Sequence, residues 1–271
     1  MKALSRLYIT LILLFLYAPV AVMVVFSFNS GGSVWVFEGF SFDWYKSIVF
    51  NSTMLEALKR TLIIAVLSSL ISTVLGTAAA VGIMDIRSRL AKRLVMTVTN
   101  IPMMNADIVT GVSLMLLFVF VGKLFGLTES LGFVTVLSAH ITFNLPYVIL
   151  SVLPRLKATD KNLQEAALDL GCTPLQAFFK VVIPSISTGI FTGLIMAFTL
   201  SLDDFVISYF TTGPEFQTLP LLIYSMTKRR VTPDMYALST IMFIVILVVL
   251  LFVNMKAVKD EKDMRLKKEV K

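Results

Sequence analysis

The sequence TLIIAVLSSLISTVLGTAAAVGIM, residues 61–84, contains no charged side chain. An α-helix rises about 1.5 Å per residue, so roughly 20 consecutive apolar residues cross the hydrocarbon core of a bilayer, which is about 30 Å thick. This stretch exceeds that length, and its few serine and threonine residues are spread among aliphatic ones. It is therefore predicted to be a membrane-spanning helix.

Five further stretches have the length and composition of membrane spans. They are residues 7–28, 94–122, 131–153, 186–209 and 237–255. The first is too long for the apolar core of a signal peptide and is followed by no A-x-A cleavage site, so it is predicted to be an uncleaved anchor. The second contains Pro102, which kinks or breaks helices, and its start is therefore open: it lies at residue 94 or after the proline.

The composition agrees with this division into spans. Hydrophobic residues make up 57% of the chain and charged residues 15%, whereas a soluble domain has roughly 45–50% and about 25%. An ordinary soluble enzyme is excluded. The predicted fold class is all-α: a polytopic membrane protein with six transmembrane helices in one domain over residues 1–271.

The distribution of basic residues predicts the orientation. Six spans place both termini on one side of the membrane, and most of the 24 Lys and Arg residues then lie in segments on that side. The positive-inside rule predicts that this side is the cytoplasm. The net charge of +7 is accordingly assigned to a face beside membrane lipid and not to a nucleic-acid surface. Segments 35–50 and 211–230 are predicted to lie at the outer surface.

The longest cytoplasmic loop, residues 155–184, has the signals of two short helices. The first is predicted from about Lys161 to Leu170, where Gly171 would end it in the left-handed conformation that glycine tolerates. The second is predicted to begin at Thr173, with proline in the first helical position and Gln176 completing a capping box. A loop tethered to the bilayer at both ends is poorly suited to enter a DNA groove.

Within this loop stands the sequence EAALDLG, residues 165–171, followed at a fixed interval by Ile183 and Pro184. It resembles the EAA signature, E-A-A-x(3)-G-x(9)-I-x-L-P, of permease subunits of bacterial ATP-binding-cassette importers. The first half matches fully, while Ile183–Pro184 replaces the usual tail. The resemblance implies a MetI-like permease fold, in which the loop couples the spans to a separate cytoplasmic ATPase. The residues expected to contact that ATPase are Glu165, Ala166, Ala167 and Gly171.

Further segments narrow the resemblance. They are SAHITFNLP (138–146), SLDD (201–204), TGP (212–214) and LPLLIYSM (219–226). In this order they are similar to PotC-type permeases of bacterial spermidine/putrescine importers, and the similarity runs over nearly the whole chain. It implies ATP-driven import of polyamines across the inner membrane of a bacterial cell.

The same resemblance implies the partners. They are a second homologous permease chain, a homodimeric ATPase that holds ATP and magnesium, and an extracytoplasmic polyamine-binding protein. The chain itself is expected to carry no cofactor and to be no enzyme; it has no P-loop of the form GxxxxGK[ST]. The sequence leaves open whether the two permease chains are identical and whether the receptor is periplasmic or lipid-anchored.

Polar residues inside spans are candidates for the substrate path, because they cost several kcal/mol unless they are paired or face water. They are Asp107, Asn144, Asp203 and Asp204, and carboxylates along a path would attract a substrate with several ammonium groups. Alternatives remain for the three aspartates. Asp107 can cap a helix that restarts after the proline at 102, and one of the two adjacent aspartates is expected to cap a helix or pair with a base. His140 is expected to be a hydrogen-bonded packing residue.

The sequence leaves three other functions open. The permease can serve another small cation or solute. A stand-alone secondary transporter would work without ATP and would show an inverted repeat, which is not evident here. An intramembrane aspartyl enzyme would pair Asp107 with Asp203 or Asp204, but no flanking signature supports it. One histidine and one cysteine, Cys172, are too few to predict a zinc site.

Overall fold

The computed structural model describes residues 2–33, 35–126, 131–160, 162–229 and 232–269, apart from the side chains of residues 2, 3, 5, 229 and 252–269. Two positions named above fall outside it: Lys161, the predicted start of the first loop helix, and residue 230, the end of the predicted outer loop. The described chain is helical, with one isolated antiparallel bridge between Asn29 and Phe40.

The helices follow one another in this order: α1 Lys2–Phe26, α2 Asp43–Phe50, α3 Ser52–Asp85, α4 Arg89–Met104, α5 Asp107–Leu124, α6 Phe133–Ala158, α7 Asn162–Asp169, α8 Pro174–Ala177, a π-helical turn Phe178–Val182, α9 Ile183–Ser185, α10 Ser187–Asp203, α11 Val206–Thr211, α12 Leu219–Arg229 and α13 Pro233–Glu269.

Five helical segments in the described part of the chain are long and apolar enough to cross a membrane. They are Arg6–Phe26, Ser52–Asp85, Asp107–Leu124, Phe133–Ala158 and Pro233–Leu251. A sixth results when Pro174–Ser185 and Ser187–Asp203, which meet at a bend of 68°, are counted as one span. The predicted all-α, polytopic fold class is confirmed.

The predicted span 94–122 is not one helix. Asn105 and Ala106 both have extended backbone conformations, so α4 ends before them and α5 begins after them at Asp107. Pro102 lies within α4, three residues before the break. Asp107, expected inside a span, lies in the first turn of a helix, where a carboxylate is stabilised by the exposed backbone N–H groups.

The predicted span 186–209 is also interrupted. Helix α10 ends at Asp203, Asp204 is extended with φ −62° and ψ 123°, and α11 begins at Val206. The interruption therefore falls at the pair of adjacent aspartates. Both broken spans look continuous in the sequence because apolar residues continue on each side of the break.

The contacts within the chain divide it into two compact units. One comprises residues 1–59 and 219–248, and its core packs α2 and the start of α3 against α12 and α13 through Ile48, Met54, Leu219 and Leu238. In the segment before α2, the buried side chain of Asn29 binds the carbonyl oxygens of Ser33 and Val36 at 2.9 and 2.8 Å. Trp35 beside it is 88% exposed, as an interfacial aromatic residue would be.

The other unit comprises residues 60–218 and 249–271. Its core joins α3, α6 and α10, with Val148 of α6 fully buried at the centre. Small residues allow this close packing: a Cβ added to Gly76 of α3 would lie 2.7 Å from Val148 Cγ1, and one added to Gly193 of α10 would lie 3.3 Å from Val148 Cα. Glycines at such contacts are typical of packed membrane helices.

Candidate functional site

The loop at residues 155–184 forms the two short helices that the sequence predicts. Helix α7 ends before Gly171, which has a φ of +86°. The N–H of Gly171 donates to the carbonyl of Leu168, and the N–H of Cys172 donates to the carbonyl of Ala167. These two bonds are those of a Schellman motif, in which glycine supplies the left-handed residue. The prediction of a glycine stop at this position is confirmed.

The second loop helix begins as predicted. Thr173 is the N-cap of α8: its hydroxyl accepts a hydrogen bond of 3.3 Å from the N–H of Gln176, whose side chain accepts one of 3.2 Å from the N–H of Thr173. The helical path then continues through Pro184 to Ser185 and includes the π-helical turn, where the N–H of Ile183 donates to the carbonyl of Phe178. Proline at 184 therefore lies inside the helical segment, just before the bend of 68°.

The EAA residues differ in exposure. Glu165 and Ala166 are exposed on α7, whereas Ala167 is 7% exposed and packs into the chain. Ala166 thus lies on the surface of the loop and Ala167 faces the chain, while the contact of either residue with an ATPase stays a prediction. The reason is helical geometry: α7 lies against the segment that follows it, so one of two consecutive residues turns inward.

Glu165 also lines a cleft of about 600 Å³. The cleft lies between the ends of α3 and α6 on one side, and α7 with the π-helical turn on the other. Its polar lining includes Asp85, Asp160 and Glu165, and its apolar lining includes Leu168 and Phe178. The loop helix therefore adjoins the ends of two long helices across one open cleft.

Two of the four proposed path residues are buried within the chain. Asn144 is fully buried; its side-chain amide donates 2.7 Å to the Ser201 hydroxyl, which lies 2.8 Å from the hydroxyl of Ser68. Asp204 has a side chain only 9% exposed. Both side chains are thus turned toward other residues of this chain, and their assignment to a substrate path stays a prediction.

Asp204 is held by its neighbours. Its carboxylate accepts hydrogen bonds from the N–H groups of Ile207 at 3.3 Å and Ser208 at 2.8 Å, and so caps α11. His140 Nε2 lies 3.4 Å from Asp204 Oδ2 and 3.0 Å from the Ser208 hydroxyl. The alternative prediction, that one aspartate of the pair caps a helix or pairs with a base, is confirmed. The packing role expected of His140, which is 2% exposed, is also confirmed.

Asp107 and Asp203 are exposed. Asp203 is the last residue of α10, next to the capped aspartate at 204. Asp107 is the first residue of α5. The structure thus separates the four residues into two exposed carboxylates and two side chains in a buried polar cluster. The sequence analysis did not identify the serine hydroxyls at 68, 201 and 208 as members of the polar cluster with Asn144, His140 and Asp204. The available signal was the spacing of residues 201, 204 and 208, because residues three or four apart lie on the same face of a helix.

The chain matches a family model described as "Binding-protein-dependent transport system inner membrane component" over residues 72–258. It is 40% identical over 228 residues to "Putrescine transport system permease protein PotI" of Escherichia coli K12, covering 84% of this chain and 81% of that protein. It is 38% identical over 244 residues to "Spermidine/putrescine transport system permease protein PotC" of the same strain, covering 90% of each.

Solved structures share the fold at lower identity. A chain of a bacterial ABC transporter "involved in the import of the acidic polysaccharide alginate" superposes with a TM-score of 0.72 at 17% identity, covering 95% of this chain and 94% of that one. A chain of the MetNI methionine ABC transporter superposes with a TM-score of 0.61 at 16% identity, covering 76% and 97%.

Proposed function

The chain belongs to the family of binding-protein-dependent transport system inner membrane components, and from this membership we propose that it is a permease subunit of an ATP-driven importer of polyamines. One observation carries the choice of substrate: the permeases named for putrescine and for spermidine/putrescine are 38–40% identical to it over more than four fifths of its length. The alginate and methionine transporters support the fold alone, because their identities lie below 20%.

The exposed carboxylates fit such a substrate. Putrescine and spermidine carry two or three ammonium groups at neutral pH, because alkylammonium groups lose their proton only near pH 10. Asp107 and Asp203 are the exposed acids of the two broken spans. In a site partly shielded from water, each would attract an ammonium group more strongly than in bulk solvent. We take these two residues, and not Asn144 or Asp204, as the chain's contribution to the path.

Energy would come from a partner chain. We infer that a homodimeric ATPase binds the cytoplasmic loop and holds the ATP and magnesium. The exposed Glu165 offers a charge for docking beside the cleft, while Ala166 and Gly171 let another surface approach the backbone closely. Closure of the ATPase pair would then move α7 together with the helical segment that leads into α10, and so shift the spans between inward-open and outward-open states.

The remaining partners complete the transporter. A second homologous permease chain would form the other half of the pathway, and an extracytoplasmic polyamine-binding protein would deliver the substrate to the outer segments. The exposure of helix α1 supports the presence of a membrane-embedded neighbour, because no residue of its apolar stretch Arg6–Phe26 is buried within the chain. Lipid or the second permease would cover it. Both termini would lie in the cytoplasm, in the inner membrane of a bacterial cell.

Uptake of labelled spermidine and putrescine tests this function. Cells that lack the chain are compared with cells in which it is restored, and with restored cells depleted of ATP. We expect uptake only in the restored, energised cells. Uptake that is unchanged by the deletion would refute the polyamine assignment, and uptake that persists without ATP would favour a secondary transporter instead.

A further inference from the structure

The two broken spans meet through their second halves. Helix α11 packs on α5: a Cβ added to Gly111 of α5 would lie 2.9 Å from the ring atom Cδ2 of Phe210. Leu114 and Phe118 of α5 also pack against the cluster that contains Ile207 of α11. The segments that follow the breaks at 105–106 and 204–205 are therefore in direct contact with each other.

Helix α11 is also tied to α6 at both of its ends. Near its end, the carbonyl oxygen of Thr211 accepts a hydrogen bond of 2.8 Å from the hydroxyl of Thr135. Near its start, Ser208 and Asp204 contact the same ring nitrogen of His140, at 3.0 and 3.4 Å. With only six residues, α11 has too few internal hydrogen bonds to be stable alone, so these contacts decide its position.

The contact with His140 is the more restrictive of the two. It joins a ring that is 2% exposed to a carboxylate that is 9% exposed, and a buried carboxylate that loses its partner is costly. The same carboxylate accepts the first free N–H groups of α11. The position of His140 on α6 thus determines where α11 starts.

Asp203 depends on this arrangement because it precedes Asp204 in the chain. Asp204 is turned inward to His140, and Asp203 is exposed at the end of α10. We propose that His140 is a positioning residue for transport: by holding Asp204 and Ser208 against α6, it fixes the break between α10 and α11 and keeps the Asp203 carboxylate exposed. The part of this inference that concerns the substrate rests on the proposed function.

The test measures the position of residue 203 without reference to any substrate. In the assembled transporter with Cys172→Ser as background, a cysteine introduced by Asp203→Cys reacts with a charged, membrane-impermeant thiol reagent. His140→Ala is then added. We expect the reaction rate at residue 203 to fall by about fivefold, because the contacts that keep this side chain exposed are lost and residues in one contact network are coupled by energies of this size. Thr142→Ala is the matched control, because Thr142 is exposed on the same helix and its hydroxyl donates to the carbonyl oxygen of Ser138, one turn earlier in that helix; it should leave the rate unchanged.

Two further variants keep the test valid if His140→Ala does not fold. Asp204→Asn retains an oxygen for the cap of α11 but loses the charge, and His140→Gln retains an N–H donor. We expect Asp204→Asn to lower the rate of the thiol reaction at residue 203. With His140→Gln, the rate should lie closer to that of the background than it does with His140→Ala. Equal rates at residue 203 in the background, His140→Ala and Asp204→Asn would overturn the proposal, and so would an equal change with Thr142→Ala.

Transport measured with the same chains separates this inference from the proposed function. With the native residue at position 203, His140→Ala should lower the maximal rate of polyamine uptake, while His140→Gln restores part of it. Absence of polyamine uptake by the unmodified chain refutes the proposed substrate, whereas the thiol reaction still decides whether His140 positions residue 203.

Discussion

The backbone N–H of Cys172 donates a hydrogen bond of 3.0 Å to the carbonyl oxygen of Ala167, and this bond closes the end of α7 across Gly171. It requires a left-handed residue between the two partners. The most conspicuous element of the sequence signature is therefore held in shape by a turn that any residue with a Cβ would strain.

Gly171→Asp should uncouple transport from ATP hydrolysis. A side chain in the left-handed conformation costs about 1–2 kcal/mol, and the added carboxylate would stand where the ATPase is proposed to dock. We expect uptake to fall while ATP hydrolysis continues and the chain remains in the membrane. Uptake and ATPase assays on the purified transporter measure the two activities. Gly126→Asp is the control, since Gly126 has a φ of +68° and open space around it. Equal loss in both variants would assign the effect to folding.

Charge reversal at Glu165 should weaken binding of the ATPase. Glu165 lines the cleft beside α7, whereas Asp169 on the same helix does not. We expect Glu165→Lys to reduce the affinity for the ATPase by about tenfold, the effect of roughly 1.4 kcal/mol, and Asp169→Lys to reduce it less. Co-purification of the ATPase with each variant measures the difference. Equal retention of ATPase by Glu165→Lys and the unmodified chain would remove Glu165 from the interface.

The two adjacent aspartates should respond differently to the same substitution. Asp204→Asn removes a buried carboxylate that contacts His140 but keeps a cap acceptor, so the free energy of unfolding should fall by about 1–3 kcal/mol. Asp203→Asn alters an exposed carboxylate, and should leave stability within about 0.5 kcal/mol while polyamine uptake falls. Thermal unfolding in detergent and an uptake assay distinguish the two effects. The assignment fails if Asp203→Asn is the more destabilising variant.

Gly76→Ala should destabilise the packing of α3 on α6. The new Cβ would lie 2.7 Å from Val148 Cγ1, and overpacking of this kind costs about 1–3 kcal/mol. Gly82→Ala, six residues later on the same helix, meets nothing within 4 Å, and should be neutral or stabilise the helix by up to about 1 kcal/mol. Thermal unfolding of the two variants compares them. Adding Val148→Ala to Gly76→Ala should recover part of the loss, and a failure to recover would exclude this contact as the cause.

Local signals in the sequence predicted the loop well. The glycine at 171 and the capping box of Thr173 and Gln176 depend on backbone conformations of a few neighbouring residues, and these are nearly independent of the rest of the fold. The spans at 61–84 and 131–153 were also predicted, because length and composition suffice to identify a helix that crosses a bilayer.

The breaks and the buried polar cluster depend on contacts between distant segments. Hydropathy continues across Asn105 and across Asp204, so it does not reveal that both residues are extended. Asn144 was assigned to the substrate path because a polar residue in a span faces either water or another helix, and the sequence does not say which. Its partner, Ser201, lies 57 residues away, and only the packing of α6 on α10 brings the two side chains together.

The π-helical turn at Phe178–Val182 lies between the loop and α10, at a point where the chain can lose one residue without a change in helix orientation. Because each of its hydrogen bonds encloses one residue more than an α-helical bond, the turn contains one residue more than the same stretch of α-helix would, just before the bend at Ile186. Deletion of a single residue there converts the turn to an α-helix and preserves the orientation of α10, whereas the same deletion in a regular helix rotates everything beyond it by about 100°. We therefore expect this short segment to accept a one-residue deletion that leaves the faces of α10 unchanged.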